Sequence, residues 1–184
     1  MQDLSPIGWA LRPLKRYGEF SGRSSRAEFW WFFLFMMIIY MVVWFILLAT
    51  IGFGAASGSQ NPAAMIGAFG VMGIFMLLFY LALLIPTIAV QIRRLHDTNR
   101  SGWWLGAFWL LYIVYMAASF GLAFSAPPVG QPATLAGAGV MMVVGLAFFV
   151  YSIVLLVFFC LRGTEGPNRF GDDPYGANVE EVFA

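Results

Sequence analysis

The placement of charge constrains this chain more than any other feature. Phe29 to Ile92 and Ser101 to Leu161 contain no Lys, Arg, Asp or Glu. Between them lies one short polar stretch, Arg93-Arg94-Leu95-His96-Asp97-Thr98-Asn99-Arg100. Each charge-free block is long enough to cross a hydrocarbon core of about 30 Å twice, at about 20 residues per helical crossing. Charged residues make up 10% of the 184-residue sequence, against about 25% in soluble domains. A soluble fold could not cover that much apolar surface, so the chain reads as an integral membrane protein.

Both blocks weaken near the middle. Gly54-Ala55-Ala56-Ser57-Gly58-Ser59-Gln60-Asn61-Pro62 and Ser125-Ala126-Pro127-Pro128-Val129-Gly130-Gln131-Pro132 carry the Gly, Ser and Pro content of turns. A four-span membrane domain over 29–161 follows, with spans at about 29–53, 65–91, 103–124 and 138–161. Residues 1–28 and 162–184 flank it. The spans read as helices, because a barrel needs repeated strands of about 9–11 residues with alternating polarity and none is present. The predicted fold is therefore an all-α membrane protein with four transmembrane helices as two hairpins. The first apolar run is too long for the roughly 7–15-residue core of a secretory signal. Pro86 removes one backbone hydrogen bond late in the second span and predicts a local kink. Gly67, Gly70 and Gly73, and Ala117 with Gly121, could allow close approach of neighbouring helices.

Within residues 1–28, Ile7, Leu11 and Leu14 recur at helical spacing while Arg12, Lys15, Arg16 and Glu19 fall mostly elsewhere on the wheel. That pattern predicts an N-terminal interfacial helix, starting at Ser5-Pro6 and interrupted or kinked at Pro13. Of the ten Lys and Arg residues, five lie in 1–28, three in 92–102 and two in 162–184. None lies in 54–64 or 125–137. The positive-inside rule then puts both termini and the central stretch in the cytoplasm. Trp30, Trp31, Trp103 and Trp104 open the first and third spans, where amphipathic rings favour the headgroup zone.

Three polar clusters share that predicted face. They are Phe20-Ser21-Gly22-Arg23-Ser24-Ser25-Arg26-Ala27-Glu28-Phe29-Trp30, the central stretch continuing into Ser101-Gly102-Trp103-Trp104, and Gly166-Pro167-Asn168-Arg169-Phe170-Gly171-Asp172-Asp173-Pro174. Together they resemble the YhaH/YhaI-like bacterial inner-membrane proteins, a family known as domain of unknown function 805. The resemblance runs from about residue 10 to 176. It implies a four-helix protein of the bacterial inner membrane and supplies no activity. Pro13 departs from the continuous helix that the resemblance implies there.

The arginines Arg23, Arg26, Arg93, Arg94, Arg100 and Arg169 support two readings. They can bind anionic lipid headgroups. Alternatively, with Glu28, Asp97 and Asp173, they form ion pairs that tie the central loop and tail into a cytoplasmic cap, which is the favoured account. Asn168 and Gly171 would turn the tail so that Arg169 and Phe170 point back to the membrane. No catalytic residue is assigned. His96 and Asp97 are the one tempting pair, but adjacent helical residues do not face each other, so Asp97 is better placed to cap a segment or to meet an arginine of another cluster.

One His and one Cys, Cys160, make a zinc site improbable. The acids lack the spacing of a Ca²⁺ or Mg²⁺ loop. Neither a metal nor a cofactor is expected. The spans carry no Asp, Glu, Lys, Arg or His, unlike those of ion-coupled carriers, and the basic residues sit against the bilayer, which argues against nucleic acid. The expected partners are membrane lipids, anionic headgroups in particular, and a second copy or another membrane protein. The leading function is organisation of lipid or a partner through the cap. Its rivals are a small membrane enzyme acting on a lipid or headgroup at the cytoplasmic face, and an oligomeric pore or small-solute carrier.

Overall fold

A computed structural model describes residues 4–56, 62–124 and 135–176. Among these residues there are five helices: α1 (Pro6–Lys15), α2 (Arg26–Ala56), α3 (Pro62–Asp97), α4 (Trp103–Phe124) and α5 (Leu135–Cys160). The only strand-like pairing among them is an isolated antiparallel bridge between Asn168 and Gly171. Four of the helices, α2 to α5, are long and apolar enough to cross a membrane. Most of the first predicted turn, residues 57–61, and all of the second, within residues 125–134, lie outside the described residues.

Local chemistry explains the helix ends. Ser5 Oγ accepts the Gly8 N–H at 3.2 Å, and Pro6 follows at the first helical position, where its missing N–H costs nothing. Pro13 does not interrupt α1, which continues to Lys15. It falls in the last turn, so only the final residues depend on the bond it lacks. At α2, Ser25 Oγ accepts the Glu28 N–H at 3.1 Å while the Ser25 carbonyl receives Phe29 N–H at 3.2 Å, making Ser25 the N-cap.

The central stretch is not all loop. α3 runs on through Arg93, Arg94 and His96 to Asp97, beyond the expected end at residue 91. It stops where Asn99 adopts a left-handed φ of 56° and the Arg100 N–H returns to the Leu95 carbonyl at 2.9 Å. With 36 residues, α3 is about 54 Å long at 1.5 Å per residue, well beyond a hydrocarbon core of about 30 Å. The polar end of α3 is thus the natural part to project past the bilayer.

The buried core sits at that same end. Phe29, Phe32 and Met36 of α2, Val90 and Leu95 of α3, Leu105 of α4, and Leu155, Phe158 and Phe159 of α5 form one apolar cluster. Phe29 and Phe159 meet at 4.6 Å between ring centroids. Further along, the spans turn most of their side chains outward: Phe45 is 65% exposed, Val71 71% and Met142 72%. Such surfaces suit acyl chains as solvent. Among the described residues, a Cβ added at Gly67, Gly70 or Gly73 would meet no atom of a neighbouring element within 4 Å, so these glycines do not mark a close helix approach there.

Candidate functional site

Above the apolar cluster lies a layer of buried charge. Arg23, Ser24, Ser25, Glu28, Arg93, Arg94 and Asp97 are all at most 6% exposed. Burying a charge is costly unless partners replace its water, and each of these charges has them. Glu28, carried inward by the first turn of α2, meets Arg93 Nη2 at 3.0 Å through Oε1. Arg12 and Arg16 approach its other oxygen at 3.7 and 3.8 Å. Arg93 also donates from Nη1 to the Glu19 carbonyl at 2.7 Å and the Arg16 carbonyl at 3.3 Å, which holds the segment after α1 against α3.

Asp97 is the second anchor. Its Oδ1 accepts from Arg23 Nε at 3.0 Å, and its Oδ2 accepts from Arg94 Nη1. Arg94 then reaches the last carbonyls of α5, donating to Phe159 at 3.1 Å and to Leu161. A cation at a helix C-terminus satisfies orphan carbonyls and opposes the negative end of the helix dipole. Arg23 extends to the tail, with Nη1 on the Gly166 carbonyl at 2.6 Å and Nη2 on the Thr164 carbonyl at 2.5 Å. The Thr164 N–H closes the ring by donating to the Asp97 carbonyl at 2.9 Å. Three buried guanidiniums thus share two carboxylates, and backbone carbonyls take up the surplus positive charge.

His96 and Asp97 do not assemble into a dyad. Both Asp97 oxygens face arginines, whereas His96 Nδ1 lies 3.1 Å from the Gly22 carbonyl oxygen, a geometry that assigns the proton to Nδ1. One face of the imidazole stacks on Phe170 at 3.9 Å, nearly parallel at 4°. The Asn168–Gly171 turn sets that contact: Asn168 Nδ2 donates to the His96 carbonyl at 3.0 Å and to Thr164 Oγ1 at 2.9 Å. Phe170 therefore points to His96. Gly171 has a φ of 139°, which favours glycine in such a turn.

The other predicted residues are distributed around this layer. Asp173 accepts the Gly166 N–H at 3.1 Å and the Tyr175 N–H at 2.9 Å, and approaches Arg23 at 3.9 Å. Arg169 donates to the Asn99 carbonyl at 3.2 Å from the exposed side of the tail. Arg100 stands apart from the ion pairs, over the Phe158 ring at 3.7 Å and beside Trp104 at 5.9 Å. The Arg26 guanidinium is exposed, and its backbone N–H donates to the Tyr175 hydroxyl oxygen at 2.9 Å. Trp31, Trp103 and Trp104 are exposed, Trp104 meeting Phe158 of α5 edge-on at 5.1 Å, and Trp30 packs edge-on to Phe29 at 5.2 Å. At the rim, Glu19 accepts two hydrogen bonds from Arg16, which hold its carboxyl below the usual range and raise the Arg16 guanidinium.

Sequence reasoning missed several participants. Ser25-Arg26-Ala27-Glu28 has the spacing of a capping box, a local signal for the start of α2. Gly163, Thr164 and Tyr175 carry no comparable signal, because their roles come from long-range contact. Tyr17 is another: its hydroxyl donates to the Ala82 carbonyl. That is the carbonyl whose helical partner would have been the N–H of residue 86, which Pro86 lacks.

Long apolar helices with polar groups gathered at one end define a multi-pass membrane protein of helical-bundle type. The family model described as "Protein of unknown function (DUF805)" matches residues 17–172, and the chain belongs to this family. The match takes in every buried charge of the layer. The chain is similar to the inner membrane protein YhaI of Escherichia coli strain K12, at 33% identity over 171 residues, covering 92% of this chain and 98% of the relative. It is also similar to the inner membrane protein YhaH of the same strain, at 31% identity over 168 residues, covering 91% and 97%. No solved structure matches it.

Proposed function

We propose that this protein resides in the bacterial inner membrane as two helical hairpins with both termini cytoplasmic, and that it organises anionic lipid at that face without catalysing a reaction. The observation that carries the reading is the mutual pairing of Arg23, Arg93, Arg94, Glu28 and Asp97 in a buried layer, where Arg93 Nε alone of their side-chain nitrogens lacks a hydrogen-bond partner. A catalytic acid or base must reach substrate, and here the groups are spent on one another and on backbone. What remains available at the same end is a rim of exposed cations, Lys15, Arg26, Arg162 and Arg169. Basic residues beside spans attract anionic headgroups. The names of the relatives support the location, and the one-sided Lys and Arg distribution supports the orientation.

Lipid selection is tested by native mass spectrometry of the full chain from nanodiscs of mixed phosphatidylglycerol and phosphatidylcholine. Phosphatidylglycerol is expected to be enriched among retained lipids. Retention in proportion to the bulk mixture would overturn the reading. Orientation is tested with Ser59→Cys in a Cys160→Ala background, where labelling from the periplasmic side is expected and labelling confined to the cytoplasmic side would reverse the topology.

A further inference from the structure

We propose that the cleft between the start of α2 and the tail is a discrete phosphate-binding notch, formed by Arg26, Arg162 and the Tyr175 hydroxyl. The cleft has a volume of about 280 Å³, and Thr164, Glu165 and Asp173 complete its wall. Its acceptors are already engaged. Both Asp173 oxygens accept backbone N–H groups, from Gly166 and Tyr175, and the carboxylate lies 3.9 Å from Arg23. Glu165 is paired with Arg162 at 3.1 Å, but both side chains are more than three-quarters exposed, so the pair is weak and open to competition by a multivalent oxyanion.

Two of the donors, the Arg26 guanidinium and the Tyr175 hydroxyl, are by contrast open among the described residues. Among the described residues no hydrogen bond or ion pair engages the Arg26 guanidinium. The Tyr175 oxygen accepts the Arg26 N–H at 2.9 Å, so its own proton remains to be donated outward. Two guanidinium forks and a phenol around a small cleft match the several oxygens of a phosphate better than a single carboxylate or a cation. Depth points the same way. Trp31 is exposed just beyond Arg26 on α2, and the exposed Leu161 immediately precedes Arg162. These residues bracket the notch between acyl-chain and water-facing surfaces, where lipid phosphates lie. The phosphate can come from a lipid headgroup or from solution, and only the first source rests on the lipid-organising reading.

The test uses the full chain in phosphatidylcholine nanodiscs, titrated with phosphatidylglycerol by native mass spectrometry and, separately, with inorganic phosphate by calorimetry. An Arg26→Gln/Arg162→Gln variant is compared with Lys15→Gln/Arg169→Gln, which removes equal charge elsewhere on the rim. The first pair is expected to weaken phosphatidylglycerol binding about thirtyfold and the second less than about threefold. Tyr175→Phe keeps every charge and is expected to weaken binding severalfold with an unchanged thermal transition. Displacement of the lipid by inorganic phosphate assigns the notch to free phosphate; resistance to displacement assigns it to the headgroup. Equal losses in the two pairs would overturn the notch and leave general lipid attraction standing. If the wild type shows no preference for phosphatidylglycerol, the lipid reading fails, and the notch then stands or falls on calorimetric phosphate binding that the Arg26→Gln/Arg162→Gln variant abolishes.

Discussion

At the scale of single residues, the layer depends on the space that glycine leaves. A Cβ at Gly163 would collide with both carboxylate oxygens of Asp97, so the tail backbone can close on Asp97 only because that side chain is absent. Gly163→Ala would displace the carboxylate from Arg23 and Arg94 and leave buried guanidiniums underpaired. We expect it to cost about 3 kcal/mol, close to the effect of Asp97→Asn. Gly18→Ala, where an added Cβ meets no other atom within 4 Å, should stay within about 0.5 kcal/mol. Chemical unfolding in detergent measures all three, and a neutral Gly163→Ala would refute the tight closure. The polar residues around Asp97 were legible as a cluster. Gly163 was not, since nothing local distinguishes a glycine needed for close approach from one in an ordinary loop.

At the scale of elements, α3 carries both a break in its hydrogen bonding and the repair. Pro86 leaves the Ala82 carbonyl without its helical donor, and Tyr17, from the segment after α1, supplies a hydroxyl instead. In a low-dielectric setting an unsatisfied carbonyl costs about 1–3 kcal/mol. Tyr17→Phe should therefore lower stability by about 1–2 kcal/mol in the wild-type background and by less than half of that in Pro86→Ala, where residue 86 regains its N–H. Equal costs in the two backgrounds would show that the hydroxyl does not serve the proline. The break at Pro86 was readable from sequence, but its partner was not, because 65 residues separate Tyr17 from Ala82. The full length of α3 is not readable from sequence for a related reason. Hydropathy stops at Ile92, whereas the helix continues because tertiary partners pay for burying Arg93, Arg94 and Asp97.

At the scale of the whole molecule, one end of the bundle is tied by charge and aromatic packing, while the remaining lengths of the spans face outward. The N-terminal segment clasps the C-terminal tail through Arg23, whose guanidinium joins Asp97 to the Thr164 and Gly166 carbonyls. Arg23→Met would remove that clasp while keeping most of the apolar stem. The tail should then open more often, and tryptic cleavage at Arg162 and Arg169 should accelerate by at least about tenfold, since charge-assisted hydrogen bonds contribute about 1.5–3 kcal/mol each. Unchanged cleavage with an unchanged thermal transition would mean that Thr164, Asn168 and Phe170 hold the tail without it.

Sequence alone determined that this is an all-helical membrane protein with four apolar spans, and it picked out three polar clusters and a family to which the chain belongs. Those properties follow from composition, run length and local motif, each visible within a few dozen residues. Tertiary structure decided how the clusters meet: Arg93 on Glu28, Arg23 and Arg94 on Asp97, His96 against Phe170 instead of Asp97, and a glycine and a threonine of the tail as indispensable neighbours. The physical reason is that a buried charge is stabilised by whichever donors and acceptors the fold brings within about 3 Å, and that distance is set by the packing of helices far apart in the chain.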